Sequence, residues 1–202
     1  MFSKKYIEEL RILHADKKRL RGFGGKVKDL GEFHTYMSKW EPSSVLDYGC
    51  GKGIILANLK EQYPNSGFVG YDPAVALYAN NATEAECVFS NDVLEHIEPE
   101  YISQVLEHIS HLAKKYIWLR IDTLPARKRL SDGRNAHLII EDQSWWSTTI
   151  QNSIQGTIVY NNVNKKGNDL VVCRASLHGN LLARQPDLVV PGKQTVLSFE
   201  LC

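Results

Sequence analysis

Gly49, Gly51 and Gly53 recur at alternate positions directly after the apolar run SVLDY (44–48), and a helical apolar pattern, IILANL, follows them. The order is strand, tight turn, helix. Glycines in such a turn let the backbone reverse sharply and approach a ligand with no Cβ in the way, while the first N–H groups of the helix stay available to it. Asp47, two positions before the first glycine, can accept hydrogen bonds from loop amides or from a ligand ammonium group. Nineteen residues past Gly53 stands Asp72, at the end of a second apolar run, GFVGY (67–71). In an open parallel sheet a carboxylate at that point accepts hydrogen bonds from both ribose hydroxyls of a nucleoside ligand. Two such features at the ends of consecutive strands define one crevice. The alternative, that Asp72 with Pro73 merely starts a helix, leaves the glycine loop unexplained. Spacing also separates ligands: a dinucleotide fold needs G-x-G-x-x-G and a phosphate loop G-x-x-x-x-G-K-S/T, whereas this loop reads G-x-G-x-G, and Lys52 repairs neither pattern.

A sheet must hold these residues, and the flanking sequence supplies one. From about 41 to 175, short β-branched or apolar runs alternate with helical patterns, the signature of βαβ units around a parallel sheet. Further candidate strands are ECVFS (86–90) and YIWLRI (116–121). The helix between them carries Tyr101, Val105, Ile109 and Leu112 on one face, with Glu100, Gln104 and Glu107 off it. TIVYN (157–161) and DLVVCRA (169–175), joined by NVNKKGN, read as a hairpin that places an antiparallel strand at the sheet edge. Residues 1–40 form an N-terminal helical cap, with Tyr6, Leu10 and Leu13 at helical spacing, then RGFGG, then a second helical stretch ending near Trp40. Residues 176–202 make a C-terminal extension of unassigned role, closing on the lone strand pattern TVLSFELC.

Composition narrows the class of partner. With 24 Lys plus Arg against 23 Asp plus Glu in 202 residues, the chain has no global drive toward nucleic acid or a membrane, so an anionic partner must be met locally. Cys50, Cys87, Cys173 and Cys202 form no C-x-x-C pair, which argues against a cysteine zinc site or a disulfide framework; no metal is expected. The charged N-terminus lacks an apolar signal core and no apolar run approaches a membrane span, so the expectation is a soluble, cytoplasmic, one-domain protein.

VLDYGCGKG resembles the first motif of class I S-adenosylmethionine-dependent methyltransferases, GYDPA resembles their second, and NDVLEHIEPEY is similar to the fourth-strand motif of the subgroup known as methyltransferase type 11 or type 12. The fuller run through LPARKRLSDGRNAHLI and WW resembles methyltransferases of bacteria and bacteriophages, and the likeness spans about residues 20 to 150. The resemblance implies a Rossmann-like α/β fold and S-adenosylmethionine as cofactor. It implies that Asp47, Gly49, Gly51 and Gly53 hold the methionine part, that Asp72 holds the ribose, and that Asp92 faces the methyl-transfer site. Cys50, Pro73 and Asn91 join the cofactor set on the same grounds. One departure stands out. Too few residues follow Asp72 for the usual helix, third strand and helix, so the third strand is expected to be absent or vestigial.

Methyl transfer is a direct displacement at a sulfonium carbon, which asks the protein to align a nucleophile and remove its proton where it has one. Asp92, Glu95 and His96 stand three and four residues apart, close enough to share a face. Asp92 and Glu95 read equally well as a helix N-cap and its capping-box partner. The long connection IDTLPARKRLSDGRNAHLII carries Arg127, Lys128, Arg129, Arg134, Asn135 and His137. Loops at the C-terminal ends of parallel strands bind ligands, and basic residues there suit an anionic acceptor. The catalytic candidates are therefore Asp92, His96 and His137. Glu95, Arg127, Arg134, Asn135, His137 and Trp145 are candidates for the acceptor, a small polar or anionic molecule methylated at oxygen or nitrogen. A nucleic-acid acceptor finds little support, since Asn91-Asp92-Val93-Leu94 lacks the N-P-P-Y motif and no Pro-Cys nucleophile is present. A non-catalytic cofactor-binding module is the remaining alternative, which the intact glycine loop and Asp72 oppose.

Overall fold

The computed structural model describes residues 2–15, 30–80, 82–164 and 167–173. Helix α1 (Lys4–Ala15) and α2 (Gly31–Trp40) precede strand β1 (Ser44–Tyr48), α3 (Ile54–Gln62), β2 (Gly67–Tyr71) and β3 (Ala85–Asn91). Two short 3-10 turns, Leu94–His96 and Pro99–Tyr101, lead into α4 (Ile102–Leu112) and β4 (Ala113–Ile121). After a long connection come α5 (Gln143–Ser153), β5 (Thr157–Asn164) and β6 (Gly167–Cys173).

The six strands form one sheet in the order β2-β1-β3-β4-β6-β5. The first four run parallel, and β6 lies antiparallel to both β4 and β5. Side chains alternate between two faces as the period of a strand requires. Leu46, Val88, Ile117 and Leu119 point to a core shared with α4 and α5, through Val105, Leu106, Ile109, Trp146 and Ile150. Val45, Cys87, Phe89 and Trp118 point the other way, against Phe33 and Met37 of α2 and Leu56 and Leu59 of α3. The apolar stripe of α4 is thus the inner face of one helical layer, and the second helix of the N-terminal segment belongs to the other. Residues 72–80 and 82–84 contain turns but no helix or strand, so β2 is the sheet edge among the described residues and the third strand of the usual pattern is missing there. RGFGG and residues 176–202 lie outside the described residues.

Helix α1 takes no place in either layer. Its Leu10 and Leu13 pack on Leu130, Ala136, Ala126 and Leu138 of the connection after β4, in a third apolar cluster. Polar contacts fix it from both sides: the Ser3 backbone N–H and hydroxyl donate to Glu98 (2.9 and 2.7 Å), and Ser131 donates through its backbone N–H and hydroxyl to Glu9.

Trp118 is fully buried, its ring stacked on Phe89 at 5.2 Å and 14° and tilted against Phe33. Trp118→Ala should lower the free energy of unfolding by about 3 to 5 kcal/mol, measured by urea denaturation. A loss within experimental error of zero would show that this face of the sheet does not carry the fold.

Candidate functional site

The first half of the site is the turn between β1 and α3. Gly49 and Gly53 both take left-handed backbone, φ +84° and +73°. A Cβ at Gly49 would run into the Val93 side chain and one at Gly53 into the Tyr78 hydroxyl, so space and conformation both demand glycine. The turn is tied to the end of β2, because the Gly49 and Cys50 amides donate to the Tyr71 carbonyl (2.7 and 3.1 Å). Asp72 adds a second tie, accepting from Gly51 N–H at 3.0 Å through Oδ2 and from Ala74 N–H at 2.9 Å through Oδ1. Asp72 therefore caps a turn, and no helix follows Pro73. Asp47 is buried, and its Oδ2 has no hydrogen-bond partner; Oδ1 of Asn91, at the end of the neighbouring strand β3, is in the same condition. Burial, followed by the charges of Asp47 and Asp72, pushes the Cys50 thiol up, away from the thiolate form that a nucleophile needs.

The second half stands at the ends of β3 and β4. Asp92 has left-handed backbone, φ +53°, and its N–H donates to the Arg120 carbonyl at 2.9 Å. That bond rules out the capping box: the residue before the Leu94–His96 turn is Val93, with no side-chain cap, and Glu95 instead accepts from the Asp122 N–H at 3.2 Å. Glu95 is fully buried. His96 and His137, forty-one positions apart in the chain, meet edge to face with ring centroids 4.7 Å apart. The Nδ1 of His96 bonds the Ala136 carbonyl (2.7 Å) and the Nδ1 of His137 the Leu124 carbonyl (2.5 Å).

The other candidates fall differently. Asn135 braces the loop, accepting from the Ala126 and His137 amides and donating to the Ala126 carbonyl. Arg134 is exposed and its guanidinium is held by Asp132 at 2.8 Å, in the turn that Gly133 reverses. Arg127 is exposed, and Trp145 sits half-buried against the α4 and α5 core, edge-on to buried Trp146. Sequence reasoning missed the part played by α1. Tyr6 is buried and its hydroxyl donates to the His96 carbonyl; burial first, then the Glu98, Glu95 and Asp72 carboxylates, push that hydroxyl far up. His14, at the other end of the helix, lies in the fields of Asp72 and Lys52, with burial pushing its pKa down. Helical spacing marked Tyr6 as an inward residue, but nothing in the sequence says which surface it faces.

Residues 19–159 match the family model described as a methyltransferase domain. The chain belongs to that family. Among solved structures, this methyltransferase domain is similar to the 1,6-didemethyltoxoflavin-N1-methyltransferase of Burkholderia thailandensis, solved with 1,6-didemethyltoxoflavin and S-adenosylhomocysteine (TM-score 0.62, 14% identity, 85% of this chain and 90% of that one). It is similar to the magnesium protoporphyrin IX methyltransferase of Synechocystis with bound SAM (0.58, 16%, 84% and 97%). It also resembles an O-methyltransferase family protein of Burkholderia thailandensis (0.56, 15%, 85%), of which it spans 59%. At these identities the likeness is one of fold. No curated protein matches the chain in sequence.

Desolvation first, and the nearby Asp72 charge second, raise the Asp47 carboxyl from 3.8 to about 7. The unfolded chain gives up that proton near its ordinary pKa, whereas the folded domain keeps it to about 7. Across that window the folded state holds the extra proton, so stability of the unliganded protein falls as pH rises. Thermal melts from about pH 4.5 to 8 should show the parent losing Tm relative to Asp47→Asn, which cannot titrate. Parallel curves would mean that Asp47 ionises as freely in the fold as out of it.

Proposed function

We propose that this domain transfers the methyl group of S-adenosylmethionine to a small polar or anionic acceptor, at oxygen or nitrogen. One observation carries the reading: two buried oxygens, Asp47 Oδ2 and Asn91 Oδ1, lie at the ends of adjacent strands with no donor to satisfy them. Buried acceptors left bare are costly, and a ligand that brings cationic N–H groups removes the cost. S-adenosylmethionine is such a ligand, with an ammonium and a sulfonium. The buried Asp47 and Asp72 carboxylates suit that positive charge, and the glycine turn admits its backbone-close approach. Family membership and the cofactor-bound states of the Synechocystis and toxoflavin enzymes support the same cofactor.

In this reading Asp47, Gly49, Cys50, Gly51, Gly53, Asp72, Pro73, Asn91 and Asp92 surround the cofactor. Asp72 meets the ribose with the lone pairs that the Gly51 and Ala74 amides leave open. The acceptor lies on the side of Glu95, His96 and His137, where an imidazole takes the proton that the acceptor loses as its lone pair forms the new bond to the methyl carbon. The sulfonium leaves as a neutral thioether. No protein-bound intermediate is needed. Arg127 and Arg134 serve an anionic acceptor from the rim. No helix of the described residues is long and apolar enough to cross a membrane, and we place the enzyme in the cytoplasm, as a protein of bacterial or bacteriophage kind.

Calorimetric titration with S-adenosylmethionine and S-adenosylhomocysteine tests the cofactor assignment. Asp72→Ala should weaken binding by about 1.5 to 3 kcal/mol, the range for hydrogen bonds to an ionised group; equal affinity in parent and variant removes Asp72 from the site. On the acceptor side, His137→Ala should leave S-adenosylhomocysteine affinity within about twofold while methyl transfer, followed by mass spectrometry of candidate acceptors, drops at least about tenfold with a changed pH profile. Transfer at the parental rate would exclude His137.

A further inference from the structure

We infer that Glu95, His96 and His137 form a binding site for one divalent first-row transition ion. One ligand atom from each residue lies within 4.8 Å of the others, and the group stands at the ends of β3 and β4, beside the proposed cofactor crevice. A tetrahedral or octahedral ion with bonds of about 2.0 to 2.2 Å holds its ligands about 3 to 3.5 Å apart, so closing the site takes side-chain adjustments of roughly 1 Å.

Orientation is the second observation, independent of proximity. A carbonyl can only accept, so each histidine bonded to one through Nδ1 carries a proton there, and in its neutral form Nε2 is the lone-pair atom. Donation of the remote ring N–H to a backbone carbonyl is how metal-ligating histidines are held in tautomer and direction. Here two rings are held so, from separate segments and by separate carbonyls. The third donor, Glu95, is fully buried and aligned by the Asp122 N–H. A buried carboxylate between two imidazoles is a charge that a divalent cation offsets. Two imidazoles and one carboxylate suit zinc, cobalt, manganese or iron(II) better than magnesium or calcium, which prefer oxygen ligands throughout. Three protein ligands leave coordination positions for something else. Helix α1 closes over this point through the Tyr6 hydroxyl on the His96 carbonyl.

If the methyltransferase reading also holds, the open positions face the acceptor, which then offers an oxygen to the ion; with both Nε2 atoms ligating, the ion rather than a free imidazole promotes loss of the acceptor's proton. That step rests on the proposed function; the ion site does not.

The full-length chain, freed of metal by a chelator, is titrated with Co2+ and Zn2+. One equivalent of Co2+ should bind, with visible absorption bands of a nitrogen- and oxygen-ligated ion. His137→Ala and Glu95→Gln should each lower affinity at least about tenfold, while His34→Ala, on α2, leaves it unchanged. Nitrogen-15 spectra of the parent with Zn2+ serve where a variant fails to fold: ring resonances of two of the seven histidines should shift, and they should belong to His96 and His137. Sub-stoichiometric uptake by the parent, or uptake with other histidines shifting, overturns the site and leaves a buried hydrogen-bond cluster only. Separate titration with S-adenosylhomocysteine tells failure of the ion site from failure of the transferase reading. If both hold, metal-stripped protein keeps that affinity while methyl transfer falls and returns on adding the ion.

Discussion

Asp72 holds peptide N–H groups from two different turns, Gly51 of the glycine loop and Ala74 of the segment after β2. Much of the crevice depends on that carboxylate. Without it, the Tyr71 carbonyl would remain as the loop's hydrogen-bonded tie to β2 among the described residues, and a turn of three left-handed glycines has little stiffness of its own. The cost of the arrangement is electrostatic: burial first, and the Asp72 charge second, push the Asp47 carboxyl up. A cationic ligand of the kind proposed would offset both charges.

The two halves of the site are joined by α1. Tyr6 reaches the His96 carbonyl, Glu9 holds Ser131 of the connection after β4, and His14 lies in the field of Asp72. A helix outside both layers of the α/β sandwich thus touches the turn after β3 and the connection after β4, the two segments that bear His96 and His137. Its apolar contacts with Leu130 and Ala136 fix the connection that delivers His137. The basic loop is in this sense structural before it is chemical: Asn135 and Asp132 spend their hydrogen bonds on its shape, and Arg134 spends its guanidinium on Asp132.

The sheet and the glycine turn were legible in the sequence because their signals are local. Strand runs at 44–48 and 67–71 coincide with β1 and β2, and the stripe Val105, Ile109, Leu112 is the buried face of α4. The short stretch after Asp72 foretold the missing strand, since thirteen or so residues cannot hold a crossover. Other features had no local mark. Asp92 and Glu95 fit a capping box in spacing, and only the position of β4 shows the Asp92 N–H committed to Arg120. The meeting of His96 with His137 depends on how a long connection returns across the sheet, and one sequence offers no measure of that. Cysteine spacing speaks to thiolate sites alone, and it carries no information on imidazole and carboxylate donors brought together by the fold.

The contacts of α1 span ninety or more positions along the chain: 90 from Tyr6 to His96, 95 from Ser3 to Glu98, 122 from Glu9 to Ser131. Closing loops of that size sacrifices chain entropy before any contact rewards it, whereas the βα units close over far shorter spans. Order of assembly follows from these separations. Short-range contacts within the βα units cost less entropy to close, so docking of α1 is expected to follow them. Helix α1 contributes to neither of the two core clusters on the faces of the sheet, so its undocking would leave both of them packed.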